Sequence, residues 1–524
     1  MVDQNGGQVP KKRSGSVLAP KACRHFCRRH HETAADHRPR PCRLALPTRR
    51  AVKAPFRHGN GWAMTAELSA HGTMFRRLLR QVAVLLTSQV GRILLGTVKA
   101  SLIARTLGPA SRGVYGLAVT VPLFMVGFGS FGIAPAVLYL VARRKYDLRR
   151  VLGAAVISVL ALGPVLAAVG YLLIRSGVFS VSGSADCADL LWLVVASIPL
   201  ALTSQIVPRF LHAAGRITPY GAATTFGPAS QLVLFLLLVF LLRDPLRAAM
   251  WSWLGSYGAI IVLSALLLIP LGAYPPRIHP RLIGEGLRYG LSGYVAQCCE
   301  LAMFRLDFVF IAHYMDARSL GLYAIATQVA EMVRLFPEAV VTPFVPMLFG
   351  LQDSDERRFA PLVVRVMTVV VVVLCSVVGV FSAPLVLILF GREYQEAHQP
   401  LLCLLPGIAS LSIYYFVRFQ LFGRDMAWDV SKRMVVGVLA SLILYAVLIP
   451  AWGIAGAAMA SSASYALSLF LVLRLYTKTT GVRASDMLLI RATDIRRMWQ
   501  GLAALVSVNS ADRAGTIASS PDED

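Results

Sequence analysis

Acidic residues are scarce in this chain: 27 Asp and Glu among 524 residues, with charged residues of both signs at only 15%. A water-soluble domain carries roughly a quarter. That shortage, with a mean hydropathy of +0.62, excludes an ordinary globular surface. The apolar stretches lack the strict alternation of a barrel strand, which excludes a membrane β-barrel. No phosphate-binding loop is present, because "GPASRG" at 108–113 is not followed by Lys-Ser/Thr; no ATP site and no cofactor is expected. Cysteine is sparse, with eight residues. Cys23 and Cys27 lie near His30 and His31, but no second ligand pair follows at finger spacing, so no metal site is expected.

Long apolar runs are abundant. Turn residues and charges divide the chain into twelve segments, at 82–104, 113–141, 151–174, 188–211, 222–242, 249–271, 290–312, 320–346, 362–390, 398–420, 434–450 and 453–476. Each is about long enough to cross a ~30 Å hydrocarbon core as a helix. Helices satisfy their own backbone groups where no water can. The expected fold class is therefore an all-α, polytopic membrane protein of about twelve transmembrane helices.

Of the net charge of +25, about +11 sits in one tail and the rest is spread over short loops. Residues 1–63 hold ten Arg and four Lys against three acids. Residues 1–75 have no apolar periodicity and are expected to be a disordered basic tail, with translation starting at Met64 or Met74 rather than at residue 1. Residues 477–524 are expected to form a polar cytoplasmic tail. The remaining basic residues cluster in "ARRKYDLRR" (142–150), at Arg277, Arg281 and Arg288, at Arg357, Arg358 and Arg365, and at Lys432 and Arg433. Enrichment of Lys and Arg in alternate loops places both termini in the cytoplasm. It also explains the basicity without a nucleic-acid partner.

The middle of the chain repeats. "ARTLGPASRGVYGLA" (104–118) and "AHYMDARSLGLYAIA" (312–326) align without a gap at an offset of 208, matching Ala104/Ala312, Ser111/Ser319, Gly113/Gly321 and Tyr115/Tyr323. Between Gln89 and Pro135, ten of 47 positions are identical to the residue 208 further on. The expected organisation is two six-helix lobes, 76–275 and 276–476. An even number of helices gives both lobes the same orientation, as in transporters whose halves rock about a site between them. Gly113 and Gly321 are expected to let a duplicated outer turn close tightly.

These stretches, with "GLYAIATQVAEMVRLFPEAV" and "LIPAWGIAGAAMASSASYALSLFLVLRLY", resemble the polysaccharide-biosynthesis and O-antigen flippases of the multidrug/oligosaccharidyl-lipid/polysaccharide exporter superfamily. The resemblance covers about residues 75–480. It implies two lobes around a central cavity and movement of an undecaprenyl-pyrophosphate-linked glycan across the bacterial inner membrane for polysaccharide synthesis. It also implies membrane lipids and polysaccharide-assembly proteins as partners.

Ionisable residues inside spans cost ~2.5–3.5 kcal/mol each and usually face a cavity or a partner. The first segment holds Gln89, Arg92 and Lys99, near one face. The seventh holds Gln297, Glu300, Arg305 and Asp307, with Glu300 and Asp307 seven apart. The eighth holds Gln328, Glu331, Arg334 and Glu338. Lys99 and Asp307 are equivalent in the repeat. The expected substrate-binding set in a central cavity is Arg92, Lys99, Arg305, Arg334, Gln89 and Gln297, the cations suiting phosphate. Glu300, Asp307, Glu331 and Glu338 are expected to form charge pairs or bind a coupling H+ or Na+. Glu331 and Arg334 have the spacing of a helical ion pair. Arg105 and Arg112 are expected at the outer rim, Tyr139, Tyr414 and Tyr415 as interfacial anchors, and Pro122, Pro135, Pro343 and Pro346 as sites of helix bending.

A flippase is thus expected, acting by alternating access. The alternative is a cation-coupled multidrug antiporter of the same fold, whose cavity would favour acids and aromatics. A membrane glycosyltransferase or polymerase needs a large outer loop with an acid/base pair. The longest outer connection, about 175–187, offers none, so the chain is not expected to be an enzyme.

Overall fold

A computed structural model describes residues 61–142, 146–177, 179, 190–277, 281–341, 353–424 and 426–488, with side chains from residue 91 onward except at 142, 281, 283, 285, 287–289, 292, 293, 336–341, 353–360 and 362. Of the expected tails at 1–75 and 477–524, residues 1–60 and 489–524 lie outside the described residues, whereas 61–75 are helical and 477–480 continue a helix, followed by a short helix at Ala484–Leu488. Most of the 175–187 connection, Pro343 and Pro346 also lie outside the described residues, as do the side chains of Gln89 and Glu338.

The described residues form helices: α1 (Gly61–Gly129), α2 (Ile133–Ala142), α3 (Leu148–Arg175), α4 (Leu191–Ala213), α5 (Ile217–Leu242), α6 (Pro245–Leu268), α7 (Arg281–Tyr314), α8 (Ala317–Val341), α9 (Asp353–Val380), α10 (Ser382–Phe390), α11 (His398–Gly423), α12 (Ala427–Thr480) and the short α13 (Ala484–Leu488). Local chemistry sets several ends. Asp244 accepts hydrogen bonds from the amides of Leu246 and Arg247, with Pro245 at the first turn, and so starts α6. Arg149 donates to the carbonyl of Gly272 at 2.7 Å, tying the start of α3 to the end of the α6 region.

Eight helices among the described residues are long and apolar enough to cross a membrane. Twelve separate helices are not resolved, for two physical reasons. α1 and α12 each carry two of the expected segments across a one-residue break, at Gly108 (φ 70°, ψ 170°) and Gly453 (φ 59°, ψ −139°), conformations that side-chain-bearing residues rarely adopt. α7 and α8 carry too many ionisable residues to count among the eight. The second expected segment is also interrupted at Ser130–Gly132, between α1 and α2.

Large apolar side chains cover the outside. On α5, Leu237, Phe240 and Leu241 are 62%, 82% and 77% exposed, as a hydrocarbon-facing helix requires. Inside, one apolar core is built from α1–α6, including Ile103, Phe124, Leu202, Phe210 and Phe235. Two others are built mainly from α7–α12: one around Tyr323, Tyr394, Leu404 and Tyr445, the other around Met434, Tyr414 and Tyr476. Ala100, Ala104 and Leu117 of α1 pack into the Tyr323 core.

The duplicated motif has a different role from the expected one. The backbone break is at Gly108, and Gly113 and Gly321 lie within helices. They face each other. A methyl group added at Gly113 would run into the carbonyl oxygen of Ala317 and stand 2.9 Å from the amide nitrogen of Gly321. One added at Gly321 would run into the carbonyl oxygen of Pro109 and stand 3.1 Å from the nitrogen of Gly113. The two copies thus pack on each other, glycine to glycine, in the reciprocal manner of a two-fold contact. Gly116, one turn further on, has ordinary 3.6 Å contacts to Ala324 and Phe308.

Candidate functional site

Below this seam lies a chamber of about 270 Å³, bounded by α1, α5, α6, α7 and α8. Its ionisable lining residues are Lys99, Arg112, Arg305 and Glu331, accompanied by Tyr115, Gln231, Trp253, Tyr257 and Gln328.

Lys99 is oriented by a relay. Its Nζ donates to Gln231 Oε1 at 2.8 Å, and Gln231 Nε2 donates to the Tyr115 hydroxyl at 2.8 Å. The second bond fixes which end of the amide faces the ammonium. Arg305 Nη2 pairs with Glu331 Oε1 at 2.9 Å, and its guanidinium lies 5.4 Å from the Phe308 ring centre. Arg112 is buried, 8% exposed, with its guanidinium 5.2 Å from the Tyr115 ring centre. Its Nε has no hydrogen-bond partner among the described residues. Among the described lining residues, three cations therefore face one carboxylate. A buried guanidinium without a counter-charge is costly. An anion with two acceptor oxygens relieves that cost by bidentate hydrogen bonding.

Arg112 corrects its expected place at the outer rim. The break at Gly108 puts the residues after it into the seam and chamber rather than at the end of a straight helix. Glu331 also pairs differently: its partner is Arg305 of α7, not Arg334 on its own helix. Arg92 is half-buried on α1 and does not line the chamber; Gln297 is exposed. Arg105 stays exposed and donates to the carbonyls of Leu389, at 3.0 Å, and Ile388.

The other expected residues form two clusters outside the chamber. Glu300 forms an ion pair with Arg418 and accepts from the Tyr414 hydroxyl at 3.2 Å. Arg418 stands 4.8 Å from the Tyr415 ring centre, and Arg334 stands 5.5 Å from the same ring. Tyr414 is fully buried and is therefore not an interfacial anchor. Arg365, counted among the loop charges, is buried on α9. Asp307, 1% exposed, accepts from the Tyr323 hydroxyl at 2.6 Å and from the Phe308 amide at 2.8 Å. Ser461 lies 3.4 Å from the Tyr323 hydroxyl and 2.9 Å from that of Tyr445. Although seven residues apart, Glu300 and Asp307 serve different clusters.

The repeat reappears in this chemistry. Lys99 reaches Tyr115 through Gln231, and Asp307 binds Tyr323 directly. Lys99/Asp307 and Tyr115/Tyr323 are both pairs 208 residues apart. One copy thus links a cation to its tyrosine through an intervening amide, and the other binds an anion directly to the equivalent tyrosine. Sequence reasoning missed Gln231 and Arg418. The available signal was the same one that found the others: a lone polar residue inside an apolar segment. Among the described residues no group of three or more His, Cys, Asp or Glu side chains is placed to hold a metal ion. Cys23, Cys27, His30 and His31 lie outside the described residues.

Comparison with known proteins gives the same picture. The profile of the family described as polysaccharide biosynthesis protein matches residues 102–399. A probable low-salt glycan biosynthesis flippase of Haloferax volcanii is 25% identical over 167 residues, 31% of this chain and 35% of that protein, so the match spans about a third of the relative's length. Among solved structures, the lipid II flippase MurJ in an inward closed conformation superposes with a TM-score of 0.61 at 13% identity, over 77% of this chain and 89% of that one. The Vibrio cholerae MATE transporter VcmN in its bent form gives 0.53 at 13% identity, over 79% and 98%. The eukaryotic MATE transporter AtDTX14 gives 0.56 at 16%, over 78% and 98%. At these identities the likeness is one of fold: an all-helical, multi-pass membrane protein.

Proposed function

The chain belongs to the polysaccharide biosynthesis protein family, and on that footing we propose that it is a flippase for a lipid-linked glycan. The proposed substrate is an undecaprenyl-pyrophosphate-linked oligosaccharide, carried across the bacterial inner membrane for O-antigen, capsule or exopolysaccharide synthesis. The reading places both termini in the cytoplasm and divides the chain into lobes at 76–275 and 276–476. These rock between inward-open and outward-open states without ATP hydrolysis or any other enzymatic step. Asp307, held by Tyr323, is the proposed point of coupling to H+ or Na+.

One observation carries the reading: Arg112 stands buried beside Lys99 and Arg305, with Glu331 as the carboxylate among the described lining residues. A diester pyrophosphate brings two negative charges and matches the surplus. A chamber for cationic drugs would reverse that balance, which weighs against the antiporter alternative.

In proteoliposomes carrying a prenyl-pyrophosphate-linked glycan on one leaflet, the purified chain is expected to expose the sugar to a glycosidase on the other side. Competition by inorganic pyrophosphate is expected, and competition by a cationic dye is not. Efficient transport of the dye with no glycan exposure would replace this reading with the antiporter.

A further inference from the structure

On the far side of the Ser130–Gly132 interruption lies a second cavity, about 350 Å³, between α2, α3 and α7. Phe131, Ile157, Ala161, Leu162 and Leu291 line it, with Ser158. The Ser158 hydroxyl is turned into its own helix and donates to the Ala154 carbonyl at 2.9 Å. Among the described lining residues the Ser158 hydroxyl, its proton already given to Ala154, is the polar side-chain group, so a polar ligand would lose most of its water without compensation, whereas a hydrocarbon chain fits such a cavity.

Two features show that this cavity is built rather than incidental. Phe131 holds φ at +45°, a left-handed conformation that is an outlier for a bulky residue and is maintained only where its surroundings enforce it. The surroundings are identifiable. Tyr294 of α7 donates its hydroxyl to the Phe128 carbonyl, and its ring lies 6.0 Å from that of Phe131. A methyl group on Gly132 would sit 2.7 Å from the backbone of Gly290, so α7 presses directly on the interruption. In this conformation Phe131 lines the cavity and is 43% exposed. Leu291 is 45% exposed and the neighbouring Leu160 69%, so the cavity opens toward hydrocarbon.

Its position relative to the chamber identifies the guest. The same two helices connect them. Leu123 lines the chamber on α1, and Phe131 is eight residues on, in the interruption just past the end of that helix. Arg305 lines the chamber, and Leu291 is fourteen residues back along α7, about 21 Å. We propose that this cleft holds the prenyl chain of the lipid-linked substrate while its pyrophosphate occupies the cationic chamber. The proposal rests on the flippase reading. In the orientation given above, the cleft lies on the cytoplasmic side, where the substrate is loaded.

The test uses the full chain in nanodiscs with two photoreactive probes: farnesyl pyrophosphate labelled at the end of its chain, and phosphatidylglycerol labelled in an acyl chain. Labelling by the farnesyl probe is expected at peptides carrying 157–162 or 291 and is competed by unlabelled farnesyl pyrophosphate. Ala161→Trp fills the cleft from its open side, where a large apolar residue is compatible with lipid. It is expected to lower farnesyl labelling there about tenfold while inorganic pyrophosphate still binds the chamber with unchanged affinity. Equal labelling by phosphatidylglycerol that excess farnesyl pyrophosphate does not displace would overturn the proposal, making the cleft a seat for bulk lipid. So would farnesyl labelling unaffected by Ala161→Trp. Failure of the flippase reading is distinguishable: inorganic pyrophosphate would then not bind the wild-type chain, or would bind it and Arg112→Gln alike.

Discussion

Replacing Gly113 by Ala adds one methyl group at the place where the two copies of the repeated motif touch. The added carbon would stand 2.9 Å from the amide nitrogen of Gly321 and closer still to the carbonyl of Ala317. Ordinary contact begins at about 3.5 Å, so the helices must part by about 1 Å or more. Backbone atoms cannot swing aside as a side chain can. Overpacking of this kind costs ~1–3 kcal/mol, and it falls only on the state in which the seam is closed. A population shift toward the seam-open state of about 5- to 150-fold is expected. Spin labels on cysteines at the exposed positions Ser176 and Arg318, in a background without native cysteines, report the separation of the two halves by double electron–electron resonance. Gly113→Ala is expected to raise the long-distance fraction, and Gly321→Ala to do the same. Gly116→Ala, whose added methyl meets only 3.6 Å contacts, is expected to leave the distribution unchanged. Identical distributions for all three variants would show that the glycine contact does not gate the seam.

Three further outcomes are expected. Glu300→Gln strands Arg418 as a buried charge and should lower stability by ~3–5 kcal/mol, read as thermal unfolding in detergent, whereas replacing both residues by Met should be far milder; an unchanged melting temperature for Glu300→Gln would remove the pair from the fold's support. Glu331→Gln takes away the carboxylate opposite Arg305, and inorganic pyrophosphate should bind about tenfold tighter while turnover slows, because release becomes limiting; weaker binding would contradict the assigned balance of charge. Asp316 caps α8 by accepting from the Ser319 amide at 3.1 Å, and hydrogen bonding with Ser319, first through its side chain and then through its amide, holds the Asp316 carboxyl below the usual 3.8. Its contribution is therefore complete above pH ~4 and lost as pH falls through the depressed value. Asp316→Ala should cost ~1 kcal/mol at neutral pH, a difference that vanishes in strong acid; an equal difference at both pH values would refute the cap.

Much of the architecture was legible because membrane helices announce themselves. The expected apolar segments are helical within the described residues apart from short interruptions such as Ser130–Gly132 and Phe381, and the repeat at 208 marked the two places where the chain meets itself. What could not be read was direction at single residues. Arg112 was expected at the rim because it falls between the apolar segments 82–104 and 113–141, and the change of direction at Gly108 is not visible in that pattern. Lys99 and Arg305 were recognised as cavity cations because an ionisable residue within an apolar segment needs a partner. Which partner depends on helix rotation and crossing, which spacing along one helix does not encode. Hence Glu331 was matched with Arg334 on its own helix, when its oxygen lies 2.9 Å from Arg305 on another. Asp307 lies outside the chamber for the same reason. Its repeat equivalence with Lys99 was visible, but the partners, Tyr323 for Asp307 and Gln231 leading to Tyr115 for Lys99, required three dimensions.

The central claim is that the chamber passes an anionic head group, and Arg112 is where that claim is most exposed. The measurement is the initial rate of glycan translocation in proteoliposomes by wild type, Arg112→Lys and Arg112→Gln, at equal amounts of folded protein. Each variant is assayed with a pyrophosphate-linked glycolipid and with a glycolipid of neutral linkage. Loss of a charge-assisted hydrogen-bonding group costs ~1.5–3 kcal/mol, so Arg112→Gln should slow the pyrophosphate substrate by about 10- to 150-fold. Arg112→Lys should recover only part of that, since the forked geometry is lost, and the neutral substrate should be a poor one for all three proteins. Equal rates for wild type and Arg112→Gln on the pyrophosphate substrate, with folded protein matched, would contradict the account.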